Sequence, residues 1–272
     1  MKKHLIALDL DGTLLYDWLT LKDETKEYLM ELKEHGHKLV IATGRPYRSS
    51  VKYHQLLELD TPLINYNGGL ITWKDNPDFE EVNVLVDRDA VLDIFENTKQ
   101  YIHNAFCEIK DDIYVLEHTD EIHDYLHYFN GAKLFTGEFK KTLPTNQGTN
   151  GFIIIANQGE GHLIEEYVAK HYPDKLLTRN WGSDQQYIIE LYTPKTNKGL
   201  AIKHVADTLG IDRQNIIAFG DGSNDIEMLE YAGTGVAMKN AREELKAVAD
   251  VTLPFSNTEN GIEQFLKRYF KQ

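Results

Sequence analysis

Short, almost continuous apolar segments recur along the chain, each followed by a pattern typical of an amphipathic helix. The segments are Leu5–Leu8, Leu39–Ala42, Leu63–Tyr66, Ile216–Phe219 and Gly235–Met238. Strands that are apolar on both faces need cover on both faces, as in a parallel sheet with helices on either side. Because strands and helices alternate, we expect right-handed βαβ units and a doubly wound, Rossmann-like α/β core.

The middle of the chain, residues 84–190, has a different pattern. Helical segments are expected at Arg88–His103, Thr119–Phe129 and Glu160–His171, and strands among them at Ile113–Leu116, Phe152–Ala156 and Tyr187–Leu191. The parallel core is therefore expected to consist of residues 1–83 and 191–272, with an α+β module of domain size inserted between them.

Composition excludes several classes of function. The 272 residues carry a net charge of −14, which would repel nucleic acid and anionic membranes. Cys107 is the single cysteine, so an intramolecular disulfide and a cysteine-based zinc cluster are both excluded. No stretch approaches the ~18 apolar residues of a membrane span, and a cytoplasmic protein with no membrane partner is expected.

Two acidic motifs follow predicted core strands. Asp9 and Asp11 lie two residues apart after the first strand, and Asp221 and Asp225 follow the strand Ile216–Phe219. In open α/β sheets ligands bind at the carboxyl ends of the strands, so both pairs are expected at one edge. Clustered carboxylates at a strand end imply a hard cation such as Mg²⁺. An ordinary turn or helix cap is the structural alternative.

Two further features suit a phosphate oxyanion. Thr43, Gly44 and Arg45 end the second strand and offer a hydroxyl, a backbone N–H and a guanidinium. Lys198 opens the helix after the insert, where a cation is disfavoured by the helix dipole, which suggests a role other than solvation. Taken singly, each also fits a plain turn or a solvated surface lysine.

In this order on successive strand exits, the four motifs resemble the haloacid dehalogenase-like hydrolase superfamily, most closely its Cof-type phosphatases with a large α/β cap. The resemblance covers the whole chain and makes the insert 84–190 a cap that sets substrate specificity. It implies a phosphatase of small phosphorylated metabolites such as sugar phosphates. Asp9 would be the nucleophile that forms an aspartyl-phosphate, and Asp11 the general acid and base.

The resemblance also implies ligand sets. Mg²⁺ would be held by the Asp9 side chain, the Asp11 backbone carbonyl and Asp221, with Asp225 close by or acting through water. Phosphate would be held by Thr43, Gly44, Lys198 and Asn224. Arg45, Asn67 and Gly68 would lie near the substrate, although Asn67-Gly68-Gly69 stands where the family usually has Asn-Gly-Ala. Since Mg²⁺ and Lys198 supply about three positive charges against four carboxylates, strict metal dependence is expected.

Three alternatives stay open at this stage. A phosphosugar mutase of the same superfamily would return the phosphoryl group to substrate instead of water. His123 and His127 stand four residues apart, as in a helical zinc site, although the glutamate base of such sites is replaced by Asp124. A non-enzymatic phosphoacceptor would also combine clustered aspartates, a threonine and a lysine on a parallel sheet, but on a much shorter chain.

Overall fold

The computed structural model describes residues 2–126, 131–180, 182 and 187–271. The chain divides into two compact units. Unit 1 comprises Met1–Arg45, Ser50–Val82 and Asn197–Gln272, and unit 2 comprises Pro46–Ser49 and Asn83–Thr196. The assignment of these units to catalysis and specificity stays a prediction.

The strands are β1 (Leu5–Leu8), β2 (Lys38–Ile41), β3 (Leu63–Asn65), β4 (Leu70–Thr72), β5 (Val82–Asn83), β6 (Ile102–Ile109), β7 (Asp112–Val115), β8 (Leu134–Thr136), β9 (Gly151–Ala156), β10 (Leu177–Asn180), β11 (Ile188–Tyr192), β12 (Ile216–Gly220), β13 (Thr234–Ala237) and β14 (Val251–Thr252). The α-helices are α1 (Asp23–Glu34), α2 (Tyr47–Leu56), α3 (Arg88–Thr98), α4 (Asp120–His123), α5 (Phe139–Thr142), α6 (Gly161–His171), α7 (Lys198–Leu209), α8 (Ile226–Tyr231), α9 (Glu243–Val248) and α10 (Gly261–Tyr269). Single 3₁₀ turns lie at Tyr66–Gly68, Lys99–Tyr101, Asp124–Leu126, Arg213–Asn215, Ser223–Asp225 and Asn257–Glu259, and a wider turn spans Leu10–Leu14.

Unit 1 is built on a parallel sheet with the strand order β14-β13-β12-β1-β2. A parallel bridge between Ala42 and Ile64 places β3 beyond β2. If these six strands are numbered in chain order, their order across the sheet is 3-2-1-4-5-6, which is the Rossmann arrangement. The direction in which successive strands are added to the sheet reverses between β1 and β12. The predicted fold class is confirmed, and this reversal is where such sheets bind their ligands.

The core strands are buried as their apolar runs predict. Every residue of β1 and β12 is inaccessible to solvent. Helix α7 packs Ile202 and Val205 into the cluster that contains Leu5 and Ile216, and on α10 the Phe265 ring meets Phe219 edge-on at 5.6 Å. Burial of each large aliphatic side chain contributes ~1.5–3 kcal/mol to the stability of the fold. The buried strands therefore hold in place the edge of the sheet at which the polar side chains follow.

Unit 2 contains a mixed sheet in the order β10-β11-β9-β6-β7-β8, in which only the β7–β8 pair is parallel. One prediction for this region is wrong: the expected helix Arg88–His103 ends at Thr98, and Ile102 already begins β6. The expected helix Thr119–Phe129 lies in part outside the described residues, and up to Leu126 it consists of α4 and a single 3₁₀ turn. Thr98 leaves the helical conformation, with φ −120° and ψ 2°, and its hydroxyl donates to the carbonyl of Ile94 at 2.7 Å. A β-branched residue whose hydroxyl donates to the carbonyl four residues earlier favours the end of a helix.

No helix among the described residues is both long enough and apolar enough to cross a bilayer.

A buried histidine makes the stability of unit 1 sensitive to pH. His37 is 1% exposed, its Nδ1 accepts the backbone N–H of His4 at 3.2 Å, and its ring lies 4.4 Å from that of Phe270. Burial, and then the neighbouring His4, lower the pKa of His37 to about 4. Folding therefore favours the neutral imidazole. The contribution of His37 to the unfolding free energy is fully present above the unfolded pKa near 6.5 and is lost as the pH falls toward 4.

We expect wild type to lose ~2 kcal/mol of unfolding free energy through this histidine between pH 7.5 and pH 5. The measurement is urea unfolding at both pH values for wild type, H37F and H162F. H37F should lose less stability with acid than wild type does, whereas H162F, at an exposed position on α6, should follow wild type. Equal acid sensitivity of H37F and wild type would contradict this expectation.

Candidate active site

Asp9 stands at the carboxyl end of β1, at the reversal of the sheet. Its backbone N–H donates to the carbonyl of Phe219 on β12 at 3.2 Å, which continues the parallel pairing. The chain then turns over Leu10–Leu14, and Gly12 adopts φ +74°, a conformation that favours glycine. Only 4% of Asp9 is exposed, so the carboxylate is held in a largely dry environment.

Lys198 connects two of the predicted aspartates. It is the first residue of α7, whose N-cap Asn197 accepts the N–H of Leu200 at 2.8 Å. Its Nζ donates to Asp9 Oδ1 at 2.6 Å and to Asp225 Oδ1 at 2.5 Å. Because Lys198 is fully buried, the alternative of a solvated surface lysine is excluded.

The loop after β12 brings Asp221 and Asp225 to the same place. The Asp225 Oδ2 accepts the backbone N–H groups of Asp221 and Gly222, each at 3.0 Å. Both Asp225 oxygens are therefore engaged, which makes this residue an organiser of the loop and of Lys198. Asp221 Oδ1 accepts the hydroxyl of Thr13 at 2.7 Å, so the loops after β1 and β12 are joined.

Asp9, Asp221 and Asp225 form a cluster of hard oxygen donors. One carboxylate oxygen from each lies within 4.8 Å of the others, and among the described residues this is the one group of three or more acidic, histidine or cysteine side chains so arranged. Burial, and then the adjacent Asp225, raise the pKa of Asp221 to about 7. Burial also raises the pKa of Asp9 well above its usual range, even though Lys198 opposes this.

These raised pKa values show that one lysine does not neutralise the cluster. The pKa of Lys198 is itself raised: burial alone would lower it, but the carboxylates of Asp225 and Asp9 outweigh that effect. A buried excess of negative charge on carboxylate oxygens fits a divalent cation, since hard cations prefer these ligands. The residues present could therefore hold a divalent metal.

Asp11 is not one of the three residues of this cluster. Its carboxylate pairs with both Nε and Nη2 of Arg45, the Nε bond measuring 2.7 Å. Burial alone would lower the pKa of Arg45, but the hydrogen bond and charge of Asp11 raise it. The same Nη2 donates to the carbonyl of Trp18 at 2.6 Å. Arg45, predicted to lie near the substrate, therefore contacts the predicted acid and base directly.

The remaining predicted residues form a second group around Asn67. The backbone N–H of Asn67 donates to the Thr43 carbonyl at 3.0 Å, and its Oδ1 accepts the Asn224 amide at 2.9 Å. A Cβ built on Gly44 would stand 3.2 Å from the same Oδ1, and one on Gly68 would stand 2.7 Å from the Asn197 carbonyl. Asn67, predicted to lie near the substrate, thus links two of the phosphate-binding candidates, Thr43 and Asn224, which come from different loops.

Comparison with known proteins agrees with this geometry. The family model of the haloacid dehalogenase-like hydrolases matches residues 6–266. The chain belongs to this family. It is 35% identical to the 5-amino-6-(5-phospho-D-ribitylamino)uracil phosphatase YitU of Bacillus subtilis, over 99% of this chain and 98% of the relative. It is 31% identical to the pyridoxal phosphate phosphatase YbhA of Escherichia coli, over 98% of each chain.

Among solved structures, a haloacid dehalogenase-like hydrolase from Bacteroides thetaiotaomicron superimposes with a TM-score of 0.83 at 27% identity, covering 99% of this chain and 100% of that one. The superfamily inferred from the four motifs is thereby confirmed. With relatives that are named phosphatases, this member of the family is a phosphoric monoester hydrolase.

Two asparagines that the sequence interpretation missed support the loop that carries Asp9 and Asp11. Asn240 donates to the carbonyl of Gly12 at 2.7 Å, and Asn257 donates to the carbonyl of Leu15 at 2.7 Å. Asn257 N–H in turn donates to Asn240 Oδ1 at 3.2 Å. Asn240 follows the end of β13 closely, so the rule that polar residues at strand exits build the site would have found it.

Only one histidine of the pair that suggested zinc lies within the described residues. His127 lies outside the described residues. His123 ends α4 in unit 2, and its Nδ1 lies 3.2 Å from Nε2 of His118. The acidic cluster of unit 1 contains neither histidine.

Gly12 offers a test of how closely the two acidic loops approach. A Cβ on Gly12 would stand 2.3 Å from Asp221 Oδ2, so G12A must displace that carboxylate, and we expect activity to fall ~10²-fold. The control is G210A, where φ is +65° but nothing lies within 4 Å of the built Cβ, so only backbone strain of ~1 kcal/mol is added. The measurement is kcat/KM beside the thermal midpoint. Equal effects in the two variants would contradict a close approach.

Proposed function

We propose that this family member is a Mg²⁺-dependent phosphatase of small phosphorylated metabolites that works through an aspartyl-phosphate on Asp9. The observation that carries the proposal is the fully buried Lys198, whose Nζ lies 2.6 Å from Asp9 Oδ1 while Asp221 and Asp225 adjoin the same carboxylate. A nucleophilic carboxylate beside a fixed cation suits phosphoryl transfer, which depends mainly on positioning and charge neutralisation.

In the first step, an Asp9 carboxylate oxygen forms a bond to phosphorus as the bond from phosphorus to the ester oxygen breaks. Asp11 gives its proton to the departing alkoxide. In the second step, Asp11 takes a proton from water, whose oxygen attacks phosphorus and releases Asp9 and inorganic phosphate. Lys198 and the backbone N–H of Gly44, with Thr43 and Asn224, would bind the phosphoryl oxygens.

Arg45 has a positioning role in this scheme. Its two-point contact orients the Asp11 carboxylate, while Asp11 keeps 26% of its side chain accessible. Because both Asp11 oxygens accept from Arg45, one of these two hydrogen bonds opens when Asp11 carries the proton that it donates. An acid that must first donate and then recover a proton needs both a fixed direction and a route to solvent.

The metal would be held by the side chains of Asp9 and Asp221 and by the backbone carbonyl of Asp11, with Asp225 close by. When bound, Mg²⁺ would supply positive charge that screens the carboxylates from the incoming phosphate. Mg²⁺ is favoured because all the candidate donors are oxygens.

The substrates named for the relatives support a small phosphorylated metabolite. One is a phosphoribityl derivative of a uracil and the other is pyridoxal phosphate. Both join a phosphate ester to a planar ring. We propose that the cap, residues 84–190, selects among such compounds, and a cytoplasmic location stays a prediction.

Metal dependence is the direct test. We expect EDTA to abolish hydrolysis of 4-nitrophenyl phosphate and Mg²⁺ to restore it. Because a ligand that binds only the folded state stabilises it, Mg²⁺ at one hundred times its dissociation constant should add ~2.7 kcal/mol of stability. D221N should lose this stabilisation, whereas D60N, at an exposed ion pair with Lys38, should keep it. Full activity in EDTA would refute the proposed metal dependence.

The mutase and the phosphoacceptor are distinguished by product analysis. The phosphatase releases free inorganic phosphate and forms no isomeric sugar phosphate, whereas a mutase forms the isomer. A phosphoacceptor would hold phosphate on Asp9 for hours without turnover.

A further inference from the structure

The segment that follows the catalytic turn exposes apolar side chains beside the site. We call residues 16–20 the aromatic loop. Trp18 is 72% exposed and Leu19 is 59% exposed, and Tyr16 is exposed as well. Trp18 is the most exposed of the large hydrophobic residues in the described part of the chain.

The backbone of the aromatic loop is nevertheless firmly held. The Tyr16 N–H donates to the Thr20 carbonyl at 2.8 Å, and Asp17 Oδ1 accepts the N–H groups of Leu19 and Thr20, each at 2.7 Å. Backbone N–H groups that bond to the Asp17 carboxylate lower its pKa, which keeps it charged for this role. An exposed indole on a fixed backbone loses little entropy when it binds a partner.

Two inward hydrogen bonds attach the aromatic loop to the site. The Leu19 carbonyl accepts the Tyr53 hydroxyl at 2.9 Å, and the Trp18 carbonyl accepts Arg45 Nη2 at 2.6 Å. Since the same guanidinium nitrogen also donates to Asp11, the Trp18 backbone and the Asp11 carboxylate are separated by a single bridging atom.

The position of Asp11 determines what lies next to Trp18. A general acid must reach the oxygen of the leaving group, so the organic part of the substrate begins beside Asp11. Because Arg45 joins Asp11 to the aromatic loop, that loop adjoins the leaving group and not the phosphoryl group.

We propose that Trp18 is a specificity-determining residue that stacks on a planar ring in the leaving group of the substrate. The proposal rests on the proposed function and deepens it: the preferred substrates are phosphate esters that carry a planar, unsaturated ring. Indole binds such rings through their faces, and this preference does not require matched hydrogen bonds. The rings in the substrates named for two relatives belong to this class.

The test compares two ligands that differ by the ring. They are 5-amino-6-(5-phospho-D-ribitylamino)uracil and D-ribitol 5-phosphate, each measured as a competitive inhibitor of 4-nitrophenyl phosphate hydrolysis. For a ligand that the enzyme hydrolyses, the inhibition constant equals its KM, so the ring preference is taken as the ratio of the two constants in each protein. The proteins are wild type, W18A, W18F and L56A, the last at an exposed apolar residue that ends α2, whereas Arg45 precedes the first residue of that helix.

We expect wild type to bind the ring compound about ten-fold more tightly than ribitol phosphate. W18A should remove most of that difference, W18F should keep most of it, and L56A should match wild type. The inhibition constant of inorganic phosphate should be the same in all four proteins, because phosphate has no ring.

Three results would overturn the inference: no ring preference in wild type, equal losses for all ligands in W18A, or a change of oligomeric state in W18A by sedimentation. The last would make the aromatic loop a subunit contact. Failure of wild type to hydrolyse 4-nitrophenyl phosphate with any divalent metal would instead refute the proposed function, so the two failures are distinguishable.

Discussion

Replacing Asp9 by asparagine is expected to lower kcat by about 10³-fold or more, because an amide oxygen is too weak a nucleophile to form the covalent intermediate. The amide has nearly the shape of the carboxylate, and its oxygen can still accept the hydrogen bond of Lys198 that Asp9 accepts at 2.6 Å. The fold should therefore be retained, so that the loss of rate is a loss of chemistry. Release of phosphate from 4-nitrophenyl phosphate is the measurement.

The control for D9N is D207N, at an exposed carboxylate that pairs with Lys203 on the surface of α7. D207N should keep wild-type kcat and KM. A second readout is transfer of phosphate to protein: rapid acid quenching should trap phosphorylated Asp9 in wild type and none in D9N. If D9N hydrolysed substrate at the wild-type rate, the covalent mechanism would be wrong.

Replacing Lys198 by methionine should reduce both activity and stability. Methionine fills a similar volume but leaves the carboxylates of Asp9 and Asp225 buried without their cation. Removal of one partner from a buried ion pair costs ~3–5 kcal/mol, and loss of a group that stabilises charge in the transition state lowers kcat ~10²–10³-fold. Urea unfolding and steady-state kinetics measure the two effects.

The loss of stability in K198M should shrink as the pH falls from 8 to 5. Asp221, whose pKa is raised to about 7, takes up a proton in that range, which reduces the negative charge that the lysine had balanced. Mg²⁺ should restore part of the stability but little of the activity. The control is K203M on the exposed face of the same helix, where no measurable change is expected. An unchanged unfolding free energy in K198M would show that the buried lysine does not stabilise the carboxylates of Asp9 and Asp225.

Local sequence patterns predicted the part of the fold in which burial alone determines the residue types. Strands β1 and β12 are apolar at nearly every position because both faces are covered, so their runs stand out. Strand β6 was missed since its residues Ile102–Ile109 include the polar residues His103, Asn104 and Glu108. Asn104 and Glu108 are buried because they have partners elsewhere in unit 2. Glu108, for example, is buried because it pairs with Arg48.

The candidate site shows the same limit. That Asp9 and Asp221 lie together could be predicted from residue type and from the order of strand exits, whereas Lys198 was placed beside them only by the family resemblance. The contact between Arg45 and Asp11 does not, because it depends on the path of the chain after β2 and not on any spacing in the sequence. The support from Asn240 and Asn257 likewise becomes visible only when the last loops are placed beside the first.

The divided core also imposes an order of assembly on the nascent chain. Thr13 and Asp221 are 208 residues apart, and β1 is flanked by β2 and by β12, which follows the whole insert. One side of β1 therefore lacks its neighbour until the ribosome has made almost the entire protein. The stretch Asn83–Thr196 is continuous and can close its own sheet earlier. Formation of the candidate active site is thus a late event of synthesis, and incomplete chains should depend on chaperones more than finished ones.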